Sequence, residues 1–339
     1  PPRSTLFPYS TLFRSALAVA ISGALLAVKN VIGIGDIQAF IQYVRNLTQP
    51  LSQVSQVMNQ VQSMGAAAER VFEFLAEEEE SPDPVDALED TDVKGYVEFD
   101  HVRFGYNPDQ VIIKDFSASV KPGQKIAIVG PTGAGKTTIV KLLMRFYDVN
   151  SGSIKIDGED IRRMSRHGLR DNVAMVLQDT WLYSDTIMEN IRYGNLDATD
   201  EEVVAAAKAA RAHHFIKTLP GSYSMKLNED ATNISEGQKQ LLTIARAILA
   251  DRKLLILDEA TSSVDTRTEV RIQEAMDNLM KGRTTFVIAH RLSTIRNADL
   301  ILVMNHGDII EQGTHDELLA RNGAYADLYN SQFDEVEAS

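Results

Sequence analysis

Gly130-Pro131-Thr132-Gly133-Ala134-Gly135-Lys136-Thr137 fits the pattern G-x-x-x-x-G-K-[ST] at every fixed position. The flanks agree with it. Lys125-Ile126-Ala127-Ile128-Val129 is a short apolar run suited to a buried strand, and residues 138–144 continue with helical character. A strand, a glycine loop and a helix start, in that order, gather free backbone N–H groups and the positive end of a helix dipole around an anion. Gly130, Gly133 and Gly135 let the chain wrap closely around phosphate oxygens, where a Cβ would clash. Lys136 is placed to reach β- and γ-phosphates, and the Thr137 hydroxyl to ligate Mg²⁺. The stretch therefore implies binding of a nucleoside triphosphate.

Outward from this loop, the 339 residues suffice for about two domains. A net charge of −13 with no basic stripe excludes a nucleic-acid partner, because a polyphosphate backbone calls for clustered Lys and Arg. Cys is absent, which excludes disulfides, thiolate nucleophiles and Cys-ligated zinc. His213-His214 is an adjacent pair without metal-ligand spacing and reads as polar surface. Residues 1–15 begin with Pro1 and repeat Ser-Thr-Leu-Phe at 4–7 and 10–13. They lack the basic start and cleavage site of a signal peptide and are expected to be a non-native or disordered leader.

Ala16–Val28 is a run of thirteen apolar or small residues, against the ~20 of a full membrane span. It reads either as the end of a transmembrane helix or as a buried soluble helix. After a glycine-punctuated turn, apolar residues recur at three- and four-residue steps from Ala39 to Leu75, with Gln38, Gln42 and Gln49 among the polar positions. That is expected of a helix that lines a pathway and then leaves the membrane. Glu77–Glu80 and Ser81-Pro82-Asp83-Pro84 read as an acidic, solvated linker spanning 77–93. From residue 94, antiparallel strands are predicted at 97–104, 112–120 and 151–157. Buried strands alternating with helices follow at 173–177, 253–257, 285–288 and 300–304. Residues 94–335 are thus predicted to be an α/β domain with an antiparallel supplement near its start.

Leu254-Leu255-Ile256-Leu257-Asp258-Glu259 delivers two carboxylates at a strand's C-terminal end, where α/β sheets place their ligands. Asp258 suits a Mg²⁺ ligand and Glu259 a general base, a division of labour needed because a metal ligand is not free to act as a base. Between this strand and the phosphate loop lies Asn233-Ile234-Ser235-Glu236-Gly237-Gln238-Lys239-Gln240. Here Ser235 is an N-cap and a second helix N-terminus can meet an anion.

With that order of motifs, the chain resembles the ATP-binding cassette (ABC) family, Ile234–Gln238 standing at the signature usually written LSGGQ. The resemblance covers residues 94–335 densely, and 16–76 look like the last membrane segments and connector of a multidrug- or lipid-exporter-like half-transporter. It implies an α/β P-loop ATPase domain with an antiparallel β subdomain and an α-helical signature subdomain, preceded by a truncated all-α transmembrane segment. It further implies that ATP meets Tyr106 (adenine), Gly130, Pro131, Thr132, Gly133, Ala134, Gly135, Lys136, Thr137 and Thr138. In the partner's site, ATP would meet Ser235, Gly237, Gln238 and Asp265. Mg²⁺ would fall to Thr137, Gln178 and Asp258, and catalysis to Glu259, His290, Gln178 and Lys136. Glu229 falls where exporters often carry a glutamate before the signature. Glu236 departs from the family by replacing a glycine, and its carboxylate should disfavour phosphate unless it points away.

The resemblance implies ATP hydrolysis driving efflux, with two cassettes closing head to tail as a homo- or heterodimer. The parent would sit in the cell membrane with this domain cytoplasmic, and its cargo is not legible in these residues. A soluble, non-transport ABC ATPase and a fragment that only binds ATP are the alternatives. The apolar run and the long helix oppose the first of these.

Overall fold

The structure is a computed structural model that describes residues 8–29, 31–77, 79–89, 93–107, 109–177, 180–258, 266–289 and 292–337. The chain divides into two compact units, residues 1–81 and 82–339.

The first unit is two helices, α1 (Pro8–Val28) and α2 (Ile34–Leu75). Helix begins at Pro8, inside the segment read as a disordered leader. Proline is tolerated in a first helical turn, where its missing N–H has no partner to lose. The two helices approach closely at Gly23, where a Cβ would lie 3.1 Å from Ile37 Cγ1. At 42 residues α2 is about 63 Å long. It continues through Pro50. Among the described residues no helix is long and apolar enough to cross a membrane.

The second unit is built on one ten-stranded sheet in which parallel and antiparallel parts meet. Its strands are β1 (Val97–Phe104), β2 (Ile113–Val120), β3 (Lys125–Val129), β4 (Ser151–Ile156), β5 (Glu159–Asp160), β6 (Val173–Val176), β7 (Leu254–Asp258), β8 (Thr284–Ile288), β9 (Leu300–Asn305) and β10 (Asp308–Gly313). The order is β5-β4-β1-β2-β10-β9-β3-β8-β7-β6. β1 pairs antiparallel with β2 and β4, whereas β3, β8, β9, β7 and β6 run parallel. β10 joins the two parts, antiparallel to β9 and parallel to β2.

The parallel strands read as unbroken apolar runs because both of their faces are covered. Ala127, Val129, Leu255 and Leu257 enter one core, which also holds Leu241, Leu242 and Ile244 of helix α8 (Glu236–Ala250). Ile126, Ile128, Leu254 and Ile256 enter the other, with Phe99 and Phe116 of the antiparallel strands and Ile139 and Leu142 of α3 (Lys136–Leu143). The helical subdomain predicted around the signature consists of α5 (Ile187–Arg192), α6 (Asp200–Ala209), α7 (His213–Thr218) and α8.

The acidic linker is not simply solvated. Asp83 accepts hydrogen bonds from the Arg166 backbone N–H (2.9 Å) and guanidinium (2.8 Å), and ion-pairs with the buried Arg145 at 3.4 Å. Leu88 donates to the Arg163 carbonyl and accepts from Ser165, so this stretch packs along the helix α4 (Arg166–Asp171) entrance.

Candidate nucleotide site

The phosphate loop joins β3 to α3, and its glycines do what only glycine can. Gly130 has φ +146°, and a Cβ there would fall 2.2 Å from the Met304 carbonyl oxygen of β9. Gly135 caps α3 in a left-handed conformation (φ +101°), with Ile113 Cδ1 2.7 Å from where its Cβ would be. Gly133 (φ +81°) faces open space, leaving the bowl of the loop clear. Ala134 is buried, and its carbonyl accepts from Gly307 N–H, which ties the loop to the β9–β10 turn. Pro131, Thr132, Gly133 and Thr137 are exposed around the bowl.

Lys136 folds over this bowl. Its ammonium donates to the Gly130 carbonyl (2.7 Å) and the Pro131 carbonyl (3.1 Å). Burial lowers its pKa from the ordinary lysine value, and the Asp258 carboxylate opposes that shift. The attraction places Asp258, at the end of β7, within electrostatic reach of the lysine. β7 stands two strands from β3, across β8, a separation of about 10 Å. The two halves of the predicted phosphate and metal chemistry therefore share one end of the sheet.

Tyr106 follows β1 and stands beside the same loop. It is 41% exposed, and its hydroxyl lies 3.5 Å from Thr138 Oγ1 in the first turn of α3. Phe104 and Tyr147 meet it edge-on at 5.0 and 4.9 Å, and Lys141 Nζ lies 5.6 Å from its ring centre. These neighbours hold the ring upright on the rim, available for stacking. Sequence reading missed Tyr147 and Lys141, since neither carries a motif; α3 and the segment that follows it bring them to the tyrosine.

Ser235 is the N-cap of α8, as predicted. Its hydroxyl accepts from Gln238 N–H (3.4 Å), and its own N–H donates to Gln238 Oε1 (3.0 Å). Glu236 makes an ion pair with Lys239 at 2.7 Å, so the carboxylate is engaged along the helix. Among the described residues no hydrogen bond or ion pair joins Ser235, Gly237 or Gln238 to Gly130–Thr137. The predicted site thus falls into two groups, one around the loop and one at the start of α8. Gln178, Glu259, Asp265 and His290 lie outside the described residues.

A groove absent from the sequence reading opens beside Leu177. It has a volume of about 440 Å³ and is lined by Leu177, Trp181, Tyr193, Arg246 and Arg252, among others. Trp181 stacks near Tyr183 (5.9 Å, 28°), and the Arg246 guanidinium lies 5.1 Å from the Tyr193 ring centre. Arg246 is fixed there by donating to the Asn190 carbonyl (2.9 Å) and the Trp181 carbonyl (3.2 Å). Trp181 is 63% exposed, unusual for so large an apolar side chain unless the surface is covered by another segment. The close spacing of Trp181, Tyr183 and Tyr193 was the available signal.

Residues 113–262 match the family described as ABC transporter. A fatty acid ABC transporter ATP-binding/permease protein of Mycobacterium bovis is 56% identical over 309 residues, covering 91% of this chain and 49% of its own length. An ATP-dependent lipid A-core flippase of Saccharophagus degradans is 44% identical over 318 residues, covering 94% of this chain and 54% of its own. A solved bacterial Atm1-family ABC exporter with ATP bound resembles the chain with a TM-score of 0.72 and 38% identity, over 95% of this chain and 57% of that one. The chain spans about half the length of the curated relatives it matches.

Proposed function

Because this chain belongs to the ABC transporter family, we propose that it is the ATP-binding and hydrolysing part of an exporter. In this reading, closure of two such cassettes around ATP drives efflux across a membrane. The observation that carries it is the loop at Gly130–Thr137, with Lys136 folded over it and Asp258 at the end of β7 on the same end of the sheet. The loop's N–H groups and Lys136 cradle the phosphates, and Tyr106 carries the base. The donors present suit Mg²⁺: the Thr137 hydroxyl and the Asp258 carboxylate are hard oxygen ligands that would hold it against the phosphates, where it would neutralise their charge. Gln178 would add a third ligand. Glu259 would take a proton from the attacking water, oriented by His290, while Lys136 stabilises charge on the transferring phosphoryl group.

Among the described residues no hydrogen bond or ion pair joins the Ser235 group to the phosphate loop of its own chain, which fits a site completed by the partner's loop. Ser235, Gly237, Gln238 and Asp265 of one subunit would face ATP held by the other. The aromatic groove beside Leu177 suits the segment through which a membrane-embedded region receives that motion, with the cassette on the cytoplasmic side. The roles of these relatives, export and flipping among them, favour an exporter over a soluble ABC ATPase.

Glu259→Gln tests the chemistry. It should cut ATP turnover by at least about 100-fold while keeping ATP-dependent dimerisation, since the phosphate and metal contacts survive. Steady-state phosphate release and size-exclusion chromatography with ATP check it. Unchanged turnover would remove Glu259 from the mechanism.

A further inference from the structure

We propose that Lys239 is a positioning residue for the half-site at the start of α8, holding the Glu236 carboxylate away from the field that receives phosphate. The inference rests on the composite-site reading above. Glu236 sits in the first turn of α8, immediately after the Ser235 N-cap. A carboxylate there is favoured by the helix dipole, so the local energetics of the helix welcome it. That same field would attract a phosphate offered by a partner. Glu236 and the incoming nucleotide therefore compete for one electrostatic feature.

The geometry shows how the competition is relieved. Lys239 Nζ lies 2.7 Å from Glu236 Oε1 and donates to the Asp230 carbonyl at 3.2 Å. The lysine side chain is only 11% exposed, whereas that of Glu236 is 63% exposed. The cation is thus anchored between the loop and the helix, and the carboxylate is drawn along the helix towards it. Glu229 and Asp230 lie in the loop just before α8, so Lys239 offsets part of an acidic surround as well. With its carboxylate in solvent, an i,i+3 pair of this kind adds little to folding. Its effect should appear in nucleotide recognition.

The test uses the full chain and steady-state ATP hydrolysis against ATP concentration, at low and high salt. Lys239→Met should raise the KM for ATP about five- to tenfold at low salt, less at high salt, with little change in kcat or in Tm. Lys239→Arg keeps the charge and should keep the KM. Glu236→Gln combined with Lys239→Met should restore it, because the uncompensated carboxylate is gone. Ser235→Ala, run in parallel, should raise the KM through loss of the phosphate contact itself. If Lys239→Met leaves the KM unchanged while Ser235→Ala raises it, the role of Lys239 is overturned and the composite site stands. A double variant as impaired as Lys239→Met overturns the charge argument in the same way. If neither Lys239→Met nor Ser235→Ala moves the KM, both readings fall.

Discussion

A methyl group added at Gly130 would sit 2.2 Å from the Met304 carbonyl oxygen, on a backbone already at φ +146°. Neither the strand beneath nor the loop above can yield that distance cheaply. Gly130→Ala should therefore destabilise the second unit by about 3 kcal/mol and abolish nucleotide binding. Gly133→Ala meets nothing within 4 Å and bears only the cost of its left-handed φ of +81°, about 1 kcal/mol. Thermal melts with a fluorescent-nucleotide titration separate them; equal losses of Tm would contradict the assigned contacts. Gly130 is a fixed position of the motif and Gly133 a free one, and the contact with Met304 supplies the physical reason for that ranking. The loop itself was legible because its chemistry is local: spacing alone sets the turn, the helix start and the lysine. The Glu236–Lys239 pair was not, because whether a carboxylate points along its helix is decided by a rotamer. Asp258 lies between these cases, its strand evident and its approach to Lys136 fixed only by the order β3-β8-β7.

Elements followed the same division. Unbroken apolar runs located β3, β7, β8 and β9, because burial on both faces leaves no alternation to confuse with a helix. β10 was missed. Asp308–Gly313 alternates weakly and looks like loop, yet it bridges the parallel and antiparallel parts. Its signal was the turn before it. His306 (φ +45°) and Gly307 (φ +85°) form a two-residue connection between paired Asn305 and Asp308, the geometry that suits a twisted hairpin. The linker is largely exposed, but its anchorage at Asp83 and Leu88 was missed for a related reason, since acidic and proline-rich composition marks solvation in general. Arg145 was available to contradict it only once folded: it is 4% exposed and donates to the Ile161 and Met164 carbonyls (3.2 and 2.7 Å) as well as pairing with Asp83 and Asp148. Asp83→Ala would leave the Arg145 and Arg166 guanidinium groups with less compensation. Asp83 is itself about a third exposed, so solvent softens the loss to about 1–2 kcal/mol. That corresponds to a fall in Tm of about 3–6 °C, with faster proteolysis near residue 83. A variant melting with the parent would show that the clamp is ornamental to folding.

At the scale of the molecule, the two units ask for different surroundings. The second hides its apolar side chains in two cores flanking one sheet. In the first, α2 buries no residue. Phe40, Tyr43, Leu47, Leu51, Val54, Met58, Val61, Met64 and Phe72 are all more than half exposed along it. They recur at three- and four-residue steps, so they line one side of the helix while Gln42, Gln49, Gln53, Gln56 and Gln60 occupy other positions. A stripe of that length exceeds the few hundred Å² of apolar patch that a free soluble surface usually tolerates. In water it must be covered by lipid, by detergent or by other helices. Full chain purified without detergent should therefore self-associate or precipitate. A chain reduced to residues 82–339 should stay monomeric in the absence of ATP and keep its affinity for ATP, because Tyr106, the phosphate loop and Asp258 all lie within it. Light scattering and nucleotide titration on both, with and without a mild detergent, decide the matter. Were the full chain monodisperse without detergent, the stripe on α2 would need no cover, and the membrane reading would lose its support within this chain. Were the shorter chain unable to bind ATP, the nucleotide site would depend on the first unit, contrary to the placement in the second of every described residue proposed to contact ATP.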